Sequence, residues 1–202
     1  MKLYHCKHSR SLRVIWAAEE MSVALEIEEL PFPPRAHEPS YFEVNPTGTV
    51  PTLIDGEVKL HESNAIIQYL ARKQSAVEMV VRPGRPGWTQ HLDFLVMGEA
   101  TLTPPLTTIV RYKMLEPPER RLPQAVEDAA DVFHDRLQHV TKQLQGRDWL
   151  CGDRLTLADI SVGYAVYLGD YLRQSDRYSP EVTGYLERIK ARPAFQRALA
   201  RN

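Results

Sequence analysis

The chain has little cysteine, no surplus of either charge and no long apolar run, and each shortage removes a class of protein. Its 202 residues include two cysteines, Cys6 and Cys151. That is too few for a disulfide framework or a cysteine-built zinc site, so a reducing cytoplasm is the expected compartment. Lysine plus arginine number 25 against 26 aspartates and glutamates, a formal net charge of −1. Such a balance gives neither nucleic acid nor an anionic membrane an electrostatic reason to bind. No apolar stretch approaches the ~20 residues of a membrane helix, and Met1-Lys2 runs into a strand pattern rather than a signal peptide. What is present is ordinary for a soluble domain: 43% hydrophobic and 25% charged residues, on a chain long enough to bury a sizeable core. There is no internal repeat and no low-complexity tract.

The first part of the chain alternates short strands and helices. "KLYHC" (Lys2–Cys6) reads as a strand. "SLRVIWAAEEM" (Ser11–Met21) places Leu12, Ile15, Trp16 and Ala18 at helical spacing, and "ALEIEEL" (Ala24–Leu30) alternates as a second strand. "PFPPRAHEPS" is too rich in proline for regular structure. A hairpin follows, turning at Asp55-Gly56, and "SNAIIQYLARK" (Ser63–Lys73) is an amphipathic helix along Ile66, Ile67 and Leu70. This β-α-β, β-β-α order describes a small α/β unit with one parallel strand pair in a mixed sheet. After the break at "VVRPGRPGW" (Val80–Trp88) the pattern is helical: Gln90–Tyr112 with a kink at Pro104-Pro105, then Pro123–Leu144, Thr156–Arg173, Pro180–Arg192 and Pro193–Arg201. "RLTLADI" supplies a capping box, with Thr156 as N-cap and Asp159 three residues on, and a Leu155–Ile160 hydrophobic staple.

One proline is out of place. In "TGTVPTLIDGEVKLHES" (Thr47–Ser63), Pro51 sits where a strand begins, yet it has no N–H for a ladder. Either it merely starts the strand, or it fixes a bend that leaves the Val50 backbone free to pair with something other than a strand.

The motifs "SRSLRVIWAAEE", "NPTGTVPTLIDG", "LHESNAIIQYLA" and "WLCGDRLTLADISVGYA", in this order, resemble those of the cytosolic glutathione transferases, most of all bacterial members with a Ser-Arg-Ser loop. The resemblance implies an α/β plus all-α fold. A thioredoxin-like glutathione-binding domain would span residues 1–76 and an all-helical bundle residues 86–202, joined by a linker at 77–85. It makes Pro51 the cis residue and gives Val50 the task of pairing its N–H and C=O with the cysteinyl part of glutathione. Glu62 would meet the γ-glutamyl ammonium, and Ser63 with the first turn of its helix would meet the carboxylate. Arg35 and His37 are candidates for the glycine carboxylate.

Glutathione would be a substrate, no metal is implied, and the product would be a conjugate with a small, hydrophobic electrophile. A thiol of pKa about 8.5 is mostly protonated at neutral pH, and lowering it by two units requires about 2.7 kcal/mol of selective thiolate stabilisation. The loop "HCKHSRS" departs from the familiar tyrosine, serine and cysteine patterns. Ser9 is the first candidate donor and His8 the second, with Arg10 and Ser11 behind them. Cys6 and Cys151 read as structural thiols. Met97, Thr103, Pro104 and Tyr112 would line the electrophile pocket, and a homodimer is expected. The rivals are a glutathione-dependent peroxidase or disulfide reductase on the same scaffold, and a non-catalytic binding protein. A maleylacetoacetate isomerase is disfavoured because its Ser-Ser-Cys loop is absent.

Overall fold

A computed structural model describes residues 1–202. The chain divides into two compact units, one made of Met1–Val80 with Lys190–Asn202 and the other of Val81–Ile189. No helix is long and apolar enough to cross a membrane.

The first unit holds a four-stranded sheet in the order β2-β1-β3-β4, built from β1 (Lys2–His5), β2 (Glu26–Glu29), β3 (Thr52–Asp55) and β4 (Val58–Leu60). β1 pairs parallel with β2 and antiparallel with β3, and β3 pairs antiparallel with β4. The period of two puts Leu3 and His5 on one face of β1, both fully buried, and Tyr4 on the other. The outer strand β2 carries Glu26, Glu28 and Glu29, a charged edge that discourages pairing with another chain. Helix α1 (Leu12–Glu20) is buried from Leu12 through Ala18 because it packs against both α3 (Ser63–Lys73) and α9 (Pro193–Ala200). Asp55 of the hairpin turn is held to α3 by the Tyr69 hydroxyl at 2.6 Å and by Lys73.

One expectation changes here. The proline-rich stretch is not irregular: it contains the short helix α2 (Pro34–His37) and a 3-10 turn at Pro39–Glu43. Pro34 and Pro39 each open their element, where a missing N–H costs nothing and the fixed φ suits a first turn. Lys190–Asn202 cluster with the first unit. There the Trp16 and Phe195 rings meet edge-on at 4.8 Å. Arg192 grips the Glu20 carboxylate through two nitrogens at 2.6 and 2.8 Å, while Arg197 and Arg201 share Glu19 at 2.8 and 2.9 Å. The Val50–Pro51 peptide is cis, as expected, and so is Phe32–Pro33.

The second unit comprises α4 (Trp88–Met97), α5 (Thr103–Val110), α6 (Pro123–Leu144), α7 (Leu157–Tyr171) and most of α8 (Pro180–Ala191). α4 passes into α5 through a π-helical turn at Gly98–Leu102. Pro105 has no N–H for the Thr101 carbonyl, which instead accepts Arg136 Nη1 at 2.7 Å. At the start of α7 the buried Asp159 carboxylate accepts the Thr156 N–H at 2.8 Å, the Thr156 hydroxyl at 2.9 Å and the Leu150 N–H at 2.9 Å. The Tyr185 hydroxyl lies 3.3 Å from it. The capping box therefore also ties the Leu150 loop and α8 to α7.

Candidate functional site

Three stretches of the first unit hold the candidate residues for glutathione. The first precedes β3. The Thr49 carbonyl accepts Asn45 Nδ2 at 2.7 Å and the Tyr41 hydroxyl at 2.9 Å. Asn45 Oδ1 in turn accepts the Thr47 N–H and hydroxyl at 3.0 and 2.9 Å. The Thr49 carbonyl and the Val50 N–H belong to one planar trans peptide and point opposite ways. Clamping the carbonyl therefore aims the Val50 N–H away from Tyr41 and Asn45. No hydrogen bond within the chain uses the Val50 N–H or C=O. Gly48 has a left-handed φ of +60, and a Cβ there would meet the Arg35 Cβ and Phe42 Cε1, both at 2.8 Å. The close approach keeps the exposed Arg35 beside this turn; His37, also exposed, has no comparable tie to it.

The second stretch is the start of α3. Glu62 is the N-cap residue, extended and exposed, and its carboxylate does not cap the helix. Ser63 is 2% exposed, and its Oγ accepts Nη1 of the fully buried Arg13 at 3.3 Å. A guanidinium only donates, so the one proton of the Ser63 hydroxyl stays available to an acceptor such as a carboxylate. Sequence reasoning missed Arg13. A cation between Leu12 and Val14 on an apolar helix was the signal.

The third stretch is the loop between β1 and α1. Ser9 Oγ donates to the Cys6 carbonyl at 2.7 Å and lies 2.5 Å from Ser11 Oγ, which lies 2.7 Å from His5 Nδ1. Ser9 is 7% exposed, whereas Ser11 and His5 are fully buried. His8 adopts a left-handed φ of 55, its N–H donates to Asn202 Oδ1 at 3.1 Å, and its side chain is exposed. Arg10 is half-buried. Of the four candidates in the loop, Ser9 alone offers a hydroxyl that is near the surface. The Cys6 side chain packs with Leu30, Tyr41 and Val50, so Ser9 and the Val50 turn are tied to one residue. Burial pushes the Cys6 thiol up to about 12, with the Glu29 charge acting the same way. Cys151 is pushed up to about 12 by burial as well.

The helical-unit candidates separate. Thr103 is fully buried and its hydroxyl donates to the Gly98 carbonyl at 2.6 Å, so it presents nothing to a ligand. Pro104 is exposed, while Met97 and Tyr112 are half-buried. The Arg111 guanidinium lies 5.1 Å from the Tyr112 ring centre.

Burial lowers the His5 pKa to about 4, outweighing the Glu29 charge that favours the cation. The unfolded chain binds this proton near pH 6.5 and the folded chain only near 4, so stability falls as pH drops through that window, by on the order of 3 kcal/mol. Burial lifts the Asp159 carboxyl to about 6, which has the opposite sign over an overlapping window. The wild-type curve therefore mixes the two. The difference in urea midpoint between the wild type and His5→Asn isolates the histidine, and it should shrink steadily from pH 7 to pH 4; a pH-independent difference would contradict this.

Residues 3–78 match the family model described as "Glutathione S-transferase, N-terminal domain", and residues 105–202 match "Glutathione S-transferase, C-terminal domain". Glutathione S-transferase 1 of Zea mays is 30% identical over 210 residues, covering 99% of this chain and 96% of that protein. A bacterial GST, BphK, solved as a ternary complex, superposes with a TM-score of 0.84 at 25% identity, over 100% of this chain and 98% of that one. A sphingomonad glutathione S-transferase solved with glutathione gives the same TM-score at 26% identity and the same coverage of both chains.

Proposed function

The chain belongs to the glutathione S-transferase family, and from that premise we propose that it binds reduced glutathione on its N-terminal unit, holds the sulfur as a thiolate and transfers it to a small hydrophobic electrophile. The observation that carries this reading is the unpaired Val50 backbone, tied through Cys6 to the Ser9 hydroxyl. The cysteinyl segment pairs with Val50 as a short strand would. The γ-glutamyl carboxylate takes the Ser63 proton and the first-turn N–H groups of α3, where the helix dipole favours an anion. Glu62 meets the ammonium, and Arg35 the glycine carboxylate. Ser9 turns its proton from the Cys6 carbonyl to the sulfur, next to the N-terminus of α1. A donor to the charged form selectively stabilises that form and so lowers the thiol pKa. Among helical-unit residues, Met97, Pro104 and Tyr112 keep the surface an electrophile would need. The reading extends to a homodimer in the cytoplasm.

A disulfide-reductase reading that uses a cysteine of the chain is disfavoured. A mechanism that passes through a mixed disulfide on the protein needs a protein thiolate, and Cys6, the cysteine nearest the loop, is fully buried with its thiol pushed up to about 12.

The test is a panel assay with glutathione and electrophiles, hydroperoxides or mixed disulfides, run on the wild type, Ser9→Ala and His8→Ala. Conjugation should dominate. Ser9→Ala should raise the apparent pKa of bound glutathione by about one unit or more and lower turnover with little change in glutathione affinity. His8→Ala should do little, because its side chain is at the surface. A shift with His8→Ala and none with Ser9→Ala would transfer the role to His8.

A further inference from the structure

Three contacts in the β1–α1 loop leave only one arrangement of protons. A carbonyl cannot donate, so the 2.7 Å contact between Ser9 Oγ and the Cys6 carbonyl takes the only proton Ser9 has. The 2.5 Å contact between Ser9 and Ser11 then needs the Ser11 proton. With that proton used, the 2.7 Å contact between Ser11 Oγ and His5 Nδ1 needs a hydrogen on Nδ1. The chain of donors therefore runs from His5 to Ser11 to Ser9, and the neutral imidazole is the Nδ1–H tautomer. His5 Nε2, buried and without a partner, is then left with a lone pair rather than an orphaned N–H.

We infer that His5 is a positioning residue for the thiolate donor: acting through Ser11, it fixes the direction of the hydroxyl chain, so that Ser9 always accepts from Ser11 and always has its own proton to give away. This rests on the proposed role of Ser9 and adds to it what orients the hydroxyl. Without the imidazole, Ser11 is free to turn round and accept from Ser9, which takes the proton away from the sulfur. With it, Ser9 is a donor that also accepts, and a hydrogen bond received at its oxygen strengthens the one it gives. The sequence feature is a histidine on the inward face of β1, in phase with Leu3, six residues before the serine it touches. His5 and Ser11 are both fully buried, so neither touches glutathione.

The experiment compares the wild type with His5→Phe, His5→Asn, Ser9→Ala, Ser11→Ala and the pair His5→Phe with Ser11→Ala, each saturated with glutathione. The readouts are thiolate absorbance against pH and the separate kcat and KM for glutathione. His5→Phe fills the space without a donor, whereas asparagine puts an amide nitrogen one bond from Cγ, as Nδ1 is. His5→Phe should raise the midpoint of the bound thiol by about half a unit to one unit and lower kcat about threefold to tenfold, the worth of one ordinary hydrogen bond, with KM unchanged. His5→Asn should restore most of both. In the Ser11→Ala background, His5→Phe should add nothing.

A folded His5→Phe that titrates like the wild type overturns the inference. So does an asparagine variant that fails as badly as phenylalanine, because that marks a packing role. Should His5→Phe not fold, Ser11→Ala decides: a midpoint unchanged from the wild type overturns the relay, and a raised one supports it. If the wild type fails to bind glutathione, or Ser9→Ala leaves the titration alone, the Ser9 reading falls and takes this inference with it. If only the His5 and Ser11 variants are silent, the relay alone is lost.

Discussion

Ser63→Ala combined with Glu62→Ala should weaken glutathione binding by about tenfold or more while the circular dichroism stays that of the wild type. Ser63 is the larger part of the effect. It is buried, its oxygen is engaged by Arg13, and its proton is uncommitted within the chain. A hydrogen bond to a charged carboxylate contributes about 1.5–3 kcal/mol. Glu62 is exposed, so its pairing with the ligand's ammonium is screened and contributes at most about 1 kcal/mol. Together these amount to about 1.5–4 kcal/mol, a loss of roughly tenfold to several hundredfold in affinity. Calorimetric titration of the single and double variants reads this directly. Binding by the double variant at the wild-type level would place the γ-glutamyl end elsewhere.

The second large effect is on stability. Asp159→Ala removes the acceptor for two buried N–H groups, those of Leu150 and Thr156, and for the Thr156 hydroxyl. Leu150 and Thr156 are at most 1% exposed, so water cannot take the carboxylate's place. Orphaned buried donors cost about 1–3 kcal/mol each, and breaking a buried charged network typically costs about 3–5 kcal/mol in all. That is a large share of the roughly 5–15 kcal/mol by which a folded domain is stable. The expected result is a fall in melting temperature of about 10 °C. Thr156→Ala should lose less, because Asp159 keeps the Leu150 and Thr156 N–H groups. A loss of under about 1 kcal/mol for Asp159→Ala would mean that the loop before α7 relaxes and finds other acceptors.

Local signals carried much of this fold. Pro123 and Pro180 open α6 and α8 where the sequence places them, because proline is pre-set for a first turn. Ser63–Lys73 is helical over the whole span read from its apolar ridge. The same residue type misled at Pro31–Pro39, where several prolines together look like a breaker although two of them each start an element. The docking of α9 was not legible, since its partners Glu19 and Glu20 lie more than 170 residues back in the chain.

The site divides in the same way. Val50, Pro51, Glu62 and Ser63 lie in continuous motifs. Arg13 meets Ser63, and His5 meets Ser11, only when the β1–α1 loop closes on itself and α1 packs on α3. Thr103 looked like a pocket hydroxyl because spacing cannot show that it bonds back to Gly98 in the π-helical turn before α5.

The most direct test of the central claim is the ultraviolet titration of the wild-type protein saturated with reduced glutathione. If the Ser9 loop and the N-terminus of α1 hold the sulfur as proposed, thiolate absorbance should rise with a midpoint below neutrality, about two units under that of the free thiol. A midpoint equal to that of free glutathione would contradict the account.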